Sequence, residues 1–230
     1  MRVVVKIGTS TITHQTGQQN IRRMELLVKT LADMKNAGHQ VLVVSSGAIA
    51  IGVGKLRLPG RPEDIPGRQA AAAVGQCELM DIYDRLFLKY NHTVAQVLLT
   101  ADDIADPVRR HNVDATLFRL LELGAIPIIN ENDTVATAEL EGGEIGDNDT
   151  LSAEVAVSAR ADLLVLLTDI PGLFTADPRK NDNARLIPVV TELTSELMAA
   201  AGDAGTGFGT GGMRTKLEAA RICQRQGIDM

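Results

Sequence analysis

Short β-branched runs and helix-length amphipathic segments succeed one another along nearly the whole chain. That is the pattern of an α/β fold on a largely parallel sheet. Residues 3–7, three valines followed by Lys6 and Ile7, predict the first strand. Asn20 predicts the N-cap of a helix whose Ile21, Met24, Leu27, Val28, Leu31 and Met34 fall at three- and four-residue steps, with Gly38 as its stop. Residues 40–44 form a near-continuous apolar run, as in strands buried on both faces, and lead into Ser45-Ser46-Gly47-Ala48. Prolines and charges make 55–66 a loop or lid, and the alanine-rich stretch 67–90 predicts a helix. Strand, helix and strand recur at 93–99, 108–123 and 125–130, with Gly124 as the helix stop. A hairpin is expected over 134–145, then a helix over 148–159 and a strand over 162–168. Residues 171–183 predict a loop, followed by a short strand near 187–190. A glycine-rich run, 202–212, feeds a last helix over 213–226.

Composition narrows the function. The 230 residues are 45% hydrophobic and 23% charged, enough for a sizeable core. A formal charge of -6 lacks the basic footprint that nucleic-acid binding needs. Two tyrosines, four phenylalanines and no tryptophan offer few stacking platforms. No nucleic-acid partner is expected, and a small ligand is. Cys77 and Cys223 lie in predicted helices without CxxC or histidine spacing, which fits a reducing, cytoplasmic compartment. No signal peptide follows Met1-Arg2, and no apolar run approaches the roughly 18 residues of a membrane span, so no membrane anchor is expected.

Polar clusters fall at strand ends and helix starts: Lys6 to Ser10, Ser45 to Ala48, Asn130 to Asp133 with Gly146 to Asp149, and Gly207 to Lys216. In an open α/β sheet the carboxyl ends of the strands line one crevice, so these clusters converge there. Lys6 ends an apolar strand, where a lysine either snorkels at the sheet margin or faces an anion. Gly8, Thr9 and Ser10 after it favour a phosphate-side cation. Gly207 to Gly212 formally matches GxGxxG, but no strand precedes it, so it is no dinucleotide fingerprint and a nicotinamide-dependent oxidoreductase rests on an accidental match. Met213 where a P-loop has lysine excludes Walker A. What remains is either a surface loop or a glycine loop gripping nucleotide phosphates at a helix start that carries Thr215 and Lys216. Asp133, Asp147 and Asp149, with Asn130, Asn132 and Asn148, suit helix capping, an ammonium group, lysine orientation or Mg²⁺ around phosphates. His14, His39, His92 and His111 have no ligand or triad spacing.

The segments VVVKIGTS (3–10), VSSGAIAIG (44–52), INENDTVAT (129–137), GDND (146–149), LLTDIPGLFTADPR (166–179) and GTGGMRTKL (209–217) resemble, in order and spacing, the amino acid kinase family and its glutamate-phosphorylating branch. The resemblance spans essentially all 230 residues as one kinase domain. It implies a three-layer α/β/α sandwich and an ATP-dependent, Mg²⁺-assisted transferase acting on the γ-carboxylate of L-glutamate in the first step of proline biosynthesis. It also implies proline as feedback inhibitor and a homo-oligomer, dimer or tetramer. Carried over by position, Lys6 and Lys216 would neutralise the transferring phosphoryl group and Asp149 would orient them. Ser46, Gly47, Ala48, Asp133 and Asn148 match the glutamate side. Lys6, Gly8, Thr9, Thr168, Asp169, Thr210, Gly211, Gly212, Met213, Arg214, Thr215 and Lys216 match the ATP side. A carboxylate is already a nucleophile at neutral pH, so aligning two anions and screening their repulsion is the catalytic task. The alternatives are a non-catalytic sensor on the same fold and a sister kinase with another carboxylate acceptor. The chain ends at Gly227 to Met230, where the family's next strand begins. The resemblance therefore implies missing C-terminal strands, an open sheet edge and no PUA domain in this chain. Phe174 stands where a tyrosine is common.

Overall fold

Each strand of the main sheet forms within a stretch for which the sequence predicts one. A computed structural model describes residues 1–14, 18–136, 148–176, 178, 181–200 and 212–230. β1 (Arg2–Ile7) leads through α1 (Thr9–Ile12) and α2 (Ile21–Asn36) to β2 (Gln40–Ser45). α3 (Ala48–Leu56) and α4 (Ile65–Leu88) then connect to β3 (Val94–Leu99). α5 (Ala101–Ala105) and α6 (Pro107–Glu122) precede β4 (Ile126–Glu131), and α7 (Asn148–Ser158) precedes β5 (Leu163–Leu167). β6 (Leu173–Phe174), β7 (Leu186–Ile187), α8 (Ser195–Ala200) and α9 (Met213–Arg225) complete the described chain.

The main sheet has the order β3-β4-β2-β1-β5, and every neighbouring pair is parallel. Alternation along β1 sends Val3, Val5 and Ile7 against Met24, Val28 and Leu31 of α2 and Leu79, Tyr83 and Phe87 of α4. Val4 faces the other way, into a cluster with Leu117 of α6, Ala153 and Ala156 of α7, and Ala219 and Cys223 of α9. The expected three layers follow from that division. Lys6 shares the parity of Val4, which turns it toward the α7 and α9 side. β1 is flanked by β2 on one side and β5 on the other, so the chain changes direction across the sheet at β1. A ligand crevice belongs above that switch point.

The Asn20 cap forms as predicted, with its side chain accepting from the Arg23 amide. Ile21 is nevertheless 65% exposed, because the buried stripe of α2 runs through Met24, Val28, Leu31 and Ala32. α3 extends to Leu56, two residues into the loop expected over 55–66: two glycines weaken its helical pattern, while contact with α4 holds it. α4 begins at Ile65, capped by Asp64, which accepts from the Gly67 amide. α5 is only five residues long and rests on a reciprocal capping box between Thr100 and Asp103. The pairing of β6 with β7 is antiparallel and too short to leave a periodic signal. The hairpin expected over 134–145 lies, from residue 137 on, outside the described residues, as does the glycine-rich run through residue 211. Asp229 forms a parallel bridge with Leu163, and the Leu164 amide donates to the Asp229 carbonyl at 2.8 Å. The expected open edge of β5 is therefore paired over this short stretch. Among the described residues no helix is long and apolar enough to cross a membrane.

Candidate active site

Lys6 lies one residue before the end of β1, in register with Val44 and Leu166. Its ammonium group sits 2.6 Å from Asp149 Oδ1, and Lys216 Nζ lies 2.9 Å from Asp149 Oδ2. Asp149 belongs to the first turn of α7 and is fully buried. Lys216 belongs to the first turn of α9. One carboxylate thus joins β1 to α7 and α9, two helices of one layer. Small side chains, Ala153 and Ala156 of α7 and Ala219 of α9, share the buried cluster beneath this junction. The Thr215 hydroxyl lies 3.1 Å from Asp149 Oδ2 and 2.9 Å from the Gly212 carbonyl.

Burial alone pushes the Asp149 carboxyl upward, but the Lys6 and Lys216 charges and their hydrogen bonds together outweigh it. The net shift is below the ordinary carboxylate range. A carboxylate with a depressed folded-state pKa adds stability above its unfolded pKa of about 3.9 and loses it as pH falls through the folded value. The expected result is a steep loss of stability below about pH 4. Urea midpoints from pH 6 down to pH 2.5 should fall less steeply in Asp149→Asn than in the wild-type chain, and parallel curves would contradict the assignment.

Asn148 connects this cationic centre to a second group of polar residues. Its Nδ2 donates to Ser46 Oγ at 2.9 Å. Ser46 follows β2, and its amide continues the ladder to the Ile7 carbonyl at 3.0 Å. Gly47 then adopts φ 102° as the N-cap of α3, and a Cβ there would lie 2.7 Å from Ile12 Cδ1. The left-handed turn favours glycine, and any side chain there would also have to displace the tip of Ile12. Ala48 is buried directly after it. Asp133 is 9% exposed in the turn after β4.

The other expected residues divide by place. The Gly8 amide donates to the Leu167 carbonyl at a long 3.4 Å, and Thr9 starts α1. Thr168 and Asp169 follow β5, are exposed, and share a 3.3 Å hydrogen bond. Gly212 caps α9, whose first turn holds Met213, Arg214, Thr215 and Lys216, with Arg214 exposed. Thr210 and Gly211 lie outside the described residues, as does Asp147. Direct contacts therefore join Lys6, Asp149, Thr215 and Lys216, and separately Ser46 and Asn148.

Two polar residues at this end of the sheet, Gln76 and Tyr83, escaped sequence reasoning. Asn130 Nδ2 donates to Gln76 Oε1 at 3.0 Å in a buried contact between β4 and α4. Tyr83 Oη and Ser45 Oγ lie 2.9 Å apart, and Ser45 Oγ donates to the Ser46 carbonyl at 3.2 Å. Burial raises the Tyr83 phenol and its bond to Ser45 opposes this only in part, so the hydroxyl stays protonated. A signal for Gln76 existed: Ala72, Gln76, Leu79, Tyr83 and Phe87 recur at three- and four-residue steps, which places an amide on the buried face of α4.

Among the described residues no cluster of histidine, cysteine, aspartate and glutamate is arranged to hold a metal ion. Both oxygens of Asp149 face lysines, so this carboxylate does not fit the role of a Mg²⁺ ligand. Two lysines on one carboxylate leave this junction with a net positive charge.

The family model that matches residues 1–230 is that of the amino acid kinase family. A protein of Carboxydothermus hydrogenoformans named glutamate 5-kinase is 54% identical over 230 residues, covering 100% of this chain and 61% of that protein. One of the same name from Clostridium perfringens is 49% identical over 230 residues and is covered to 86%. The chain spans about three fifths of the length of the first of these. Among solved structures, isopentenyl phosphate kinase superposes with a TM-score of 0.63 at 16% identity, covering 99% of this chain and 89% of that one, a likeness in fold.

Proposed function

Since the chain belongs to the amino acid kinase family, we propose that the protein transfers the γ-phosphoryl group of ATP to the γ-carboxylate of L-glutamate, as the first step of proline biosynthesis. The observation that carries the reading is the Lys6–Asp149–Lys216 bridge, two cations held on one buried carboxylate at the switch point of the sheet. Relatives named glutamate 5-kinase at about half identity supply the choice of acceptor.

The chemistry needs little beyond alignment and charge. The γ-carboxylate attacks phosphorus, the bond from phosphorus to the β,γ-bridging oxygen breaks, and the products are an acyl phosphate and ADP. No proton is removed from the nucleophile, so no general base is required. Lys6 and Lys216 neutralise charge on the phosphoryl oxygens as it redistributes, and Asp149 keeps both ammonium groups in place. Thr215, Gly212, Met213 and Arg214, with Gly8, Thr9, Thr168 and Asp169, belong to the nucleotide side, together with Thr210 and Gly211. Ser46, Gly47, Ala48, Asn148 and Asp133 belong to the glutamate side, where the Asp133 carboxylate suits the substrate ammonium group. Mg²⁺ belongs with the nucleotide phosphates in this reading, since it is commonly held by phosphates and water. A homo-oligomer inhibited by proline is part of the same proposal and rests on the sequence resemblance alone, while a cytoplasmic location rests on the cysteine pattern.

Steady-state kinetics separate these roles. Lys216→Ala is expected to lower kcat about a hundredfold with little change in the KM for glutamate, because its charge matters most in the transition state. Asp133→Ala is expected to raise that KM at least about tenfold with a smaller change in kcat, consistent with losing a charge-assisted contact. The reverse pattern in either variant overturns its role. The reading itself is tested by ADP formation from Mg-ATP with L-glutamate, N-acetylglutamate, aspartate or isopentenyl phosphate as acceptor. Turnover only with glutamate is expected, and turnover with another acceptor alone would replace the reading.

A further inference from the structure

The contact between Gln76 and Asn130 leaves one amide atom on each residue without a partner. Asn130 Nδ2 donates to Gln76 Oε1, while Gln76 Nε2 and Asn130 Oδ1 are buried and unpaired. Turning both amides round changes which residue offers which atom, yet still leaves one donor and one acceptor over. Asn148 Oδ1 is likewise buried and unpaired, its Nδ2 being given to Ser46. Among the described residues, every buried unpaired side-chain amide atom is one of these three. Gln76 is 8%, Asn130 2% and Asn148 8% exposed. A purely structural amide pair satisfies its atoms, since a buried polar group without a partner destabilises the fold.

Their place in the fold indicates what completes them. Asn130 lies near the carboxyl end of β4, in register with Leu98 of β3. Gln76 follows Gly75, whose backbone packs against the Ala48 carbonyl beside the Ser46–Gly47 turn. β2 lies between β4 and β1 in the sheet. Two strand spacings of about 4.8 Å place β4 roughly 10 Å from the Lys6 strand. The carbon chain of a five-carbon dicarboxylic acid, with four bonds of about 1.5 Å, spans roughly 5 Å between its end carbons. With its γ-carboxylate beside Lys6 and Asp149, such a molecule passes Ser46 and Asn148 and directs its α-amino and α-carboxylate groups toward β4. Those groups carry the donors and acceptors that the amide pair lacks.

Resting on the glutamate reading above, we propose that Gln76 is a specificity-determining residue, which holds Asn130 in place and with it recognises the α-amino acid end of the acceptor. Gln76 supplies the amide that fixes Asn130, and the two together present one donor and one acceptor. The reacting carboxylate lies at the opposite end of the substrate, so losing Gln76 weakens and blurs acceptor binding while leaving the nucleotide side intact.

The test compares wild type, Gln76→Leu and Gln76→Glu in the full-length protein, with L-glutamate and with glutarate, which lacks the α-amino group. Gln76→Leu keeps the side-chain bulk, and Gln76→Glu keeps an oxygen for Asn130 Nδ2. The expected result for Gln76→Leu is a KM for glutamate raised about tenfold, equivalent to about 1.4 kcal/mol, with the KM for ATP within twofold of wild type. The preference for glutamate over glutarate in kcat/KM should fall by at least about fivefold in Gln76→Leu and by less in Gln76→Glu. Isothermal titration of glutamate and thermal melting on the same samples separate weak binding from loss of fold. Should Gln76→Leu fail to fold, the Gln76→Glu variant carries the comparison, and an unchanged glutamate preference there overturns the proposal. An unchanged KM for glutamate in folded Gln76→Leu, or equal loss with both acceptors, overturns it while wild-type glutamate turnover leaves the functional reading standing. If wild type neither binds nor phosphorylates glutamate, the functional reading fails and takes this inference with it.

Discussion

Replacing Asp149 with asparagine is expected to lower kcat by about a thousandfold, which corresponds to about 4 kcal/mol of transition-state stabilisation. The substitution keeps size and shape but removes the negative charge that faces both Lys6 and Lys216, within 2.6 and 2.9 Å. Their side chains are only 10% and 15% exposed, so bulk water does little to replace the lost counter-charge. Two ammonium groups left side by side repel, and at least one must turn away from the proposed path of the phosphoryl group. Removing one partner of a buried ion pair also destabilises, typically by about 3–5 kcal/mol. The urea midpoint should therefore fall together with the rate. Stopped-flow or steady-state assays on protein shown to be folded by circular dichroism give the answer. A kcat within tenfold of wild type would mean that Asp149 does not position the lysines during transfer.

Gly75→Ala is expected to unfold the protein or to lower its melting temperature by at least about 6 °C, the equivalent of about 3 kcal/mol for a chain of this size. A Cβ at Gly75 would fall 1.7 Å from the Ala48 carbonyl oxygen and 2.6 Å from the Gly52 amide nitrogen. Gly52 is closed off in the same way by the Ala71 carbonyl, at 1.8 Å. Both obstructions are backbone, so no side-chain rotation relieves them and the helices α3 and α4 must separate. Their separation moves the start of α3, and with it Gly47 and Ser46, so any folded fraction should also show a raised KM for glutamate. Gly60→Ala is the control, since nothing lies within 4 Å of a Cβ there and it should leave the melting temperature within about 1 °C. An unchanged melting temperature in Gly75→Ala would contradict the close crossing of the two helices.

The two variants also mark what the sequence alone conveys. Lys6, Asp149 and Lys216 sit in motifs whose spacing places each at a strand end or a helix start, and the five strands of the main sheet follow from short, mainly apolar runs. α3 did not declare itself, because Gly52 and Gly54 lower its helical pattern and the reason for Gly52 is a contact with α4, distant in sequence. Gln76 and Tyr83 were hidden for a related reason. Their positions on the buried face of α4 were legible, but their partners Asn130 and Ser45 lie 54 and 38 residues away in the chain. Capping and periodicity are local properties. The pairing of buried polar groups depends on tertiary packing, so it became visible only when the strand ends were brought together.

Acyl phosphate formation is the central claim, and trapping that product tests it most directly. The full-length protein is incubated with Mg-ATP and L-glutamate, with and without hydroxylamine, and both ADP and glutamyl hydroxamate are measured. The account predicts glutamate-dependent ADP together with γ-glutamyl hydroxamate when hydroxylamine is present. Neither product, from a folded protein that binds ATP, would contradict it and point to a nucleotide-binding sensor or to a different acceptor.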